Sequence, residues 1–275
     1  MTYRMKAVFF DTLDDCAELK ESLKKAQIAV IPAFFGIHGK EMLYRELEKG
    51  GFLPEECLFL TGQEAHAREA KEIGLVVIGC VEGHFEVPRT SVLLENPGEI
   101  SLSCLNRYYC HERKVPAVLF ETSRLRVQEL TGQDMDALYE LLTEEEVGRY
   151  LPVKPGSRKE ELEKLISYVE CVYPFFEYGY WGVFLKKTGE LIGRAGFREG
   201  SEPPEAGYVI KKNERRKGYG TEVLRGLISY ASEEILCEEL CVFIDRRNLA
   251  SVRVAEKCGF VRVGEKDVLK YRYTM

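Results

Sequence analysis

No stretch of the 275-residue chain approaches the ~20 consecutive apolar residues that a membrane-crossing helix needs, so no membrane partner is expected. The N-terminus, MTYRMKAVFFDTLDD, meets acids too soon to supply the apolar core of a secretory signal, and a cytoplasmic location is expected. No Cys-x-x-Cys pair occurs, and nine cysteines, an odd number, read as reduced core residues rather than a disulfide framework. Cys104, Cys110 and His111 lack a fourth partner at metal-ligand spacing, so no metal is expected. Internal repeats and low-complexity tracts are missing too. Positive charge is in short supply: 39 Lys and Arg against 45 Asp and Glu leave a net charge of -6, which argues against a general nucleic-acid binder. What is present is ordinary for a soluble globular protein, 45% hydrophobic and 31% charged residues, in a length that suggests about two domains of roughly 150 residues each.

Against this acidic background, residues 205–220, EAGYVIKKNERRKGYG, stand out. Ala206 to Ile210 is a short apolar run and reads as a strand, whereas Val223, Leu224, Leu227, Ile228 and Ala231 recur at helical spacing. Between them Lys211, Lys212, Arg215, Arg216 and Lys217 gather five cations into seven positions. Gly218 and Gly220 remove side chains where a ligand would touch the backbone, and the unpaired amides of the helix's first turn would point at it. The combination describes an anion site at a helix N-terminus.

Arg215-Arg216-Lys217-Gly218-Tyr219-Gly220 resembles the Q/R-x-x-G-x-G/A pyrophosphate loop of GNAT-superfamily acetyltransferases, whose ligand is acetyl-coenzyme A. Downstream, Asn248-Leu-Ala-Ser251 leading into Glu256-Lys-Cys-Gly-Phe260 is similar to the tail segment of the Rim-type branch, so the resemblance covers about residues 122–275. It implies that Arg215, Arg216, Lys217, Gly218, Tyr219, Gly220 and Thr221 hold the pyrophosphate. The coenzyme arm would lie in a splay between strands ending near Ile210 and Ile244, with bulge-freed amides of Val209 and Ile210 bonding it. Glu205 matches the position of a general base, its other reading being a surface glutamate at a strand entrance. Asn248 is a coenzyme contact, a helix N-cap, or both, and Ser251 either a first-turn residue or a polar group near the thioester sulfur. Many members carry a tyrosine seven residues after the asparagine as general acid. Here Ala255 stands there, leaving Ser251, Tyr208 or water for that role. The aromatic run from Tyr173 to Trp181 reads as core plus loop anchoring or as an acceptor wall.

The first part alternates strand-like and helix-like segments from Lys6 to Ile78, implying parallel strands with covering helices, and Glu82 to Pro116 reads as less regular. Lys6-Ala-Val-Phe-Phe-Asp11, with Leu53 to Leu60 and the segments to Gly79, is similar to a haloacid dehalogenase-like (HAD) fold without a cap. Asp11 takes the nucleophile position and Lys40 lies near the family's lysine. Leu13 replaces an acid, however, and Thr61-Gly62-Gln63 replaces the motif that completes a magnesium site, which implies lost phosphatase chemistry. The expected fold is α/β: a Rossmann-like, HAD-like parallel-sheet domain at 1–115, a linker at 116–123, and a mixed-sheet GNAT domain at 124–275. The expected partners are acetyl-coenzyme A and an amine acceptor, with a homodimer left open. A coenzyme-binding regulatory pseudoenzyme and a working phosphatase are the competing readings.

Overall fold

The strands of the first half are apolar at consecutive positions, as they must be when helices cover both faces of a sheet. The computed structural model describes residues 5–11, 16–33, 39–81, 90–150, 154–176, 178–198, 200–264 and 268–275. Leu13, residues 34–35 of the alternating first part and residue 177 of the aromatic run lie outside them. The chain divides into two compact units, Met1–Ala117 and Val118–Met275.

The first unit runs β1 (Ala7–Asp11), α1 (Ala17–Lys25), β2 (Ala29–Ala33), α2 (Gly39–Gly50), β3 (Cys57–Thr61), α3 (Glu64–Ile73), β4 (Val76–Cys80), β5 (Leu93–Leu94) and α4 (Leu102–Glu112). Its strands form one parallel sheet in the order β2-β1-β3-β4-β5. Alternate side chains point to opposite faces. Val8, Phe10, Leu58 and Leu60 meet Leu19 and Leu23 of α1 and Leu105 and Tyr109 of α4. Ala7, Phe9, Phe59 and Val77 meet Leu43 and Leu47 of α2 and Ala67 and Ala70 of α3. The segment expected to be irregular thus contains the helix α4, started by Ser101, whose hydroxyl accepts the Cys104 amide at 3.1 Å. Its buried stripe is built from Leu105, Tyr109 and Cys110, a weaker periodic signal than a leucine face.

The second unit begins with β6 (Val118–Glu121), so part of the stretch read as a linker is an edge strand, followed by β7 (Leu125–Gln128). Then come α5 (Met135–Thr143), α6 (Glu145–Gly148), α7 (Arg158–Ser167), α8 (Tyr173–Phe176), β8 (Tyr180–Leu185) and β9 (Leu191–Phe197). β10 (Ala206–Ile210), α9 (Tyr219–Tyr230), β11 (Glu239–Asp245), α10 (Leu249–Lys257), β12 (Val261–Gly264) and β13 (Val268–Thr274) complete it. Thr131 and Asp134 form a capping box ahead of α5. Pro174 falls in the first turn of α8, where its missing amide hydrogen costs nothing.

Two antiparallel sheets result, β10-β9-β8-β7-β6 and β11-β13-β12. One face of the larger sheet, through Trp181, Ala195 and Phe197, buries against Val223, Leu224 and Leu227 of α9. The other face packs Phe184 and Leu191 against Leu138 and Leu141 of α5 and Leu165 of α7. Trp181 is 1% exposed, which settles it as core. Among the described residues no helix is long and apolar enough to cross a membrane, and no cluster of three metal-ligating side chains occurs.

Candidate functional site

The two sheets of the second unit meet at one point. Glu205 and Cys241 form an isolated parallel bridge, with the Cys241 amide donating to the Pro204 carbonyl at 3.0 Å, and beyond it β10 and β11 separate. The ladder geometry fixes which backbone groups face the gap. Arg198 donates to the Glu205 carbonyl and Lys211 to the Ile192 carbonyl, so residues 205, 207, 209 and 211 bond to β9 and the even positions point the other way. The Pro204 carbonyl, taken by Cys241, and the Ile210 carbonyl, taken by Arg215 Nε at 2.9 Å, confirm this parity. The amides of Tyr208 and Ile210 therefore aim into the gap, while Val209, expected to offer its amide there, directs it to β9. The expected bulge is also missing: register is unbroken from Ala206 to Ile210, and it is the divergence of β11 that frees the amides. A cleft of about 140 Å³ fills the gap, lined by Gly207, Tyr208, Ile244, Asp245, Asn248 and Ser251 among others.

The first turn of α9 lies beside the cleft wall, Gly220 against the Tyr208 ring. The first intrahelical bond runs from the Glu222 amide to the Gly218 carbonyl, so the amides of Tyr219, Gly220 and Thr221 have no partner within the helix. Gly218 has φ +88°, a left-handed conformation that disfavours any side chain, and no side chain caps the helix. A Cβ at Gly220 would come within 3.0 Å of the Tyr208 ring, so that glycine lets helix and cleft wall approach. These amides, without a protein cap, fit a phosphorylated ligand.

The cations contribute less than their number suggests. Lys211 pairs with Glu140 and Glu190, Lys212 with Glu146, Arg215 with Glu144 and Glu146, and Lys217 with Glu214. Of the five loop cations only Arg216, exposed and at φ +62°, has no carboxylate partner among the described residues. Arg215 is a clamp: it ties the loop to the Ile210 carbonyl and to the start of α6. Tyr219 packs its ring beneath the Arg124 guanidinium, 4.4 Å from the centroid. Arg124, absent from the sequence reading, also donates to the Lys217 carbonyl at 3.0 Å and to Glu222 at 2.7 Å. Glu222 accepts from Thr122, Ser123 and the Arg124 amide as well. Burial raises its carboxyl, but these donors outweigh burial and hold it below the usual range.

Asn248 starts α10 as its N-cap, its Oδ1 accepting the Ser251 amide at 3.2 Å, and it lines the cleft at the same time. The preceding corner is fixed by Asp245, which Arg247 holds down at about 2 through side-chain and backbone hydrogen bonds. Ser251 faces the cleft and hydrogen-bonds the Tyr208 phenol, which burial pushes up to about 12. Ala255 lines the same wall. Glu205 stands at the apex where the strands join, 19% exposed and 3.4 Å from Arg198. By strand alternation its side chain emerges on the face opposite Tyr208.

A larger hollow of about 670 Å³ lies between the β6–β7 corner and α9, lined by Gly218 and Thr221 at the start of that helix, by the cations Arg124, Arg225 and Lys257, and by the carboxylates Glu121, Glu222, Glu233 and Glu234.

Residues 124–261 match the acetyltransferase (GNAT) domain. The N-acetyltransferase YoaA of Bacillus subtilis is 28% identical over 152 residues, 53% of this chain and 84% of that protein. The N-acetyltransferase p20 of Bacillus licheniformis is 22% identical over 146 residues, 52% of this chain and 82% of that one. Among solved structures, RimL, a ribosomal L7/L12 α-N-protein acetyltransferase in complex with coenzyme A, superposes with a TM-score of 0.51 at 15% identity, over 57% of this chain and 98% of RimL, a likeness of fold. The chain belongs to the GNAT acetyltransferase family, and that domain forms its C-terminal half.

Proposed function

We propose that the C-terminal unit moves an acetyl group from acetyl-coenzyme A directly to a primary amine, a protein N-terminus or a small-molecule amine, within a ternary complex. The observation that carries this reading is an uncapped, glycine-opened helix N-terminus whose Gly220 lies against Tyr208, the wall of a strand gap into which the Tyr208 and Ile210 amides point. The amides of residues 219–221, helped by Arg216, would hold the pyrophosphate. Tyr208 and Ile210 would bond the arm and the thioester oxygen. Glu205 takes a proton from the incoming ammonium. The freed nitrogen lone pair bonds to the acetyl carbon, the C–S bond breaks with its electron pair on sulfur, the nitrogen sheds its second proton to solvent to leave the neutral amide, and the departing sulfur, held by a hydrogen bond from the Tyr208–Ser251 hydroxyl pair, takes up a proton to leave as the thiol. Base and hydroxyls thus flank the gap from opposite faces of the sheet.

The regulatory reading draws on the tyrosine missing at Ala255 and on the degraded HAD motifs of the first unit. Tyr208, on the same cleft wall, offers a phenol in its place. The first unit fits a HAD-like module without phosphatase turnover. Asp11 Oδ2 accepts the Thr61 hydroxyl at 2.5 Å and lies 2.7 Å from His66 Nδ1, and Lys40 pairs with Glu72. Oδ2, engaged in this way, is a poor nucleophile, while the buried Oδ1 has no partner among the described residues.

Thiol release from acetyl-coenzyme A over a panel of primary amines tests the activity. In that assay Glu205→Gln should lower kcat/KM by about 100-fold at pH 7. The deficit should shrink as pH rises toward about 10, because a lysine-type amine then sheds its proton unaided. An undiminished rate at pH 7 removes Glu205 as the base.

A further inference from the structure

Arg194 is a residue of this domain that the transfer reaction does not use, and, among the described residues, its guanidinium lies over two aromatic rings where that of Arg126, which also has a buried Nε without a partner, lies over one. It sits on β9, next to the edge strand β10 of the larger sheet, half-buried, paired across the strand with Val209. Among the described residues no hydrogen bond or ion pair reaches its guanidinium, and its Nε is buried without a partner. Two tyrosine rings hold it, Tyr180 at 4.9 Å and Tyr168 at 5.5 Å from the centroids. Those rings are themselves fixed, since the Tyr180 amide donates to the Tyr168 hydroxyl at 2.8 Å.

Such an arrangement is costly as packing. A buried guanidinium nitrogen without an acceptor destabilises a fold, here at Nε, and a methionine would fill the same space between two rings without that cost. Aromatic faces attract the cation but leave its in-plane N–H groups unused. Strand alternation puts Arg194 on the same face as Glu205, Gly207 and Tyr180, opposite Tyr208 and α9. Tyr180 carries the link to the cleft: a Cβ at Gly207, a cleft wall, would lie 2.6 Å from its hydroxyl. A fork of unused donors therefore lies one side chain from the gap, on the face from which the amine would approach.

We infer that Arg194 is a specificity residue that receives a carboxylate of the acceptor, so that the preferred substrate is an amine that also carries a carboxylate. A planar guanidinium with free N–H groups matches a carboxylate bidentately. The inference rests on the acetyltransferase reading and adds the acceptor's chemical class. The carboxylate can belong to a free amino acid or to an acidic residue beside a peptide's N-terminus.

Two matched pairs of acceptors separate these sources in the thiol-release assay: γ-aminobutyrate against its carboxamide, and peptides differing only by Glu or Gln at the second position. The wild type should favour the carboxylate member of at least one pair through KM, and which pair it is names the source. Arg194→Met should raise KM for that member by about 10- to 100-fold, leaving kcat, the neutral partner and acetyl-coenzyme A affinity unchanged. Arg194→Lys, a point charge without the fork, should fall between. Arg126→Met serves as control, since Arg126 lies over Phe184 on β7, two strands away. The melting temperature of Arg194→Met should not drop, because no native hydrogen bond is lost. Equal KM values within both pairs, equal damage to charged and neutral acceptors, or weakened coenzyme binding in Arg194→Met would each overturn the assignment while leaving the acetyltransferase reading intact. No transfer to any amine would remove that reading, and this one with it.

Discussion

Gly218→Val is expected to weaken acetyl-coenzyme A binding by more than about 100-fold, with little loss of folding. Gly218 adopts φ +88°, where a side chain costs about 1–2 kcal/mol and a β-branched one more. The chain can relieve that strain only by moving residues 217–219, and these are the residues that aim the free amides. The same movement breaks the Arg124 bond to the Lys217 carbonyl and lifts Tyr219 from the Arg124 guanidinium. Folding depends little on this corner, which is exposed, so the melting temperature should fall by only about 2–8 °C. Calorimetric titration reads the affinity, and a wild-type dissociation constant in this variant would show that the loop is not the phosphate cradle.

Tyr208→Phe is expected to lower kcat by about 100-fold with acetyl-coenzyme A affinity nearly unchanged, the loss typical of deleting one donor from a site of developing charge. The ring stays packed against Gly220, so the fold keeps its contacts while the hydroxyl disappears. Burial raises the phenol to about 12, and the Ser251 hydrogen bond offsets this only in part. A folded-state value above the unfolded one of about 10 means that the native state holds this proton more tightly. Its contribution to stability is complete below about pH 10 and is lost as pH climbs from there to about 12. The phenol therefore remains a donor throughout the neutral range, and the wild-type alkaline stability loss in that window should diminish in Tyr208→Phe. Unchanged turnover would leave water or Ser251 as the partner of the departing sulfur.

The loop from Arg215 to Gly220 could be read from sequence because its determinants are contiguous: strand, cations, glycines and helix follow one another within 20 residues or so, and local propensity decides them. Asn248 was legible for the same reason. Val209 was not, because choosing between it and Tyr208 requires knowing which carbonyls of β9 are bonded, a fact of register rather than of composition. The neutralised cations belong to the same class of miss. Glu144 and Glu146 lie about 70 positions before Arg215, and only the packed fold brings them to it. Arg124 and Glu222 meet across nearly 100 residues, and Arg194 draws its meaning from two tyrosines on separate elements. The doubly covered sheet of the first unit was visible in its apolar runs, whereas α4 hid behind a tyrosine- and cysteine-rich stripe.

The central claim is that amides at the α9 N-terminus grip a diphosphate and thereby direct the acyl arm into the gap between β10 and β11. Parallel calorimetric titrations with acetyl-coenzyme A and with S-acetylpantetheine, which carries the acyl arm without the nucleotide, test it most directly. The account predicts that acetyl-coenzyme A binds at least about 100-fold more tightly, since the phosphate contacts supply charge-assisted hydrogen bonds that the truncated ligand cannot make. Equal affinities, or no binding of either ligand, would contradict it.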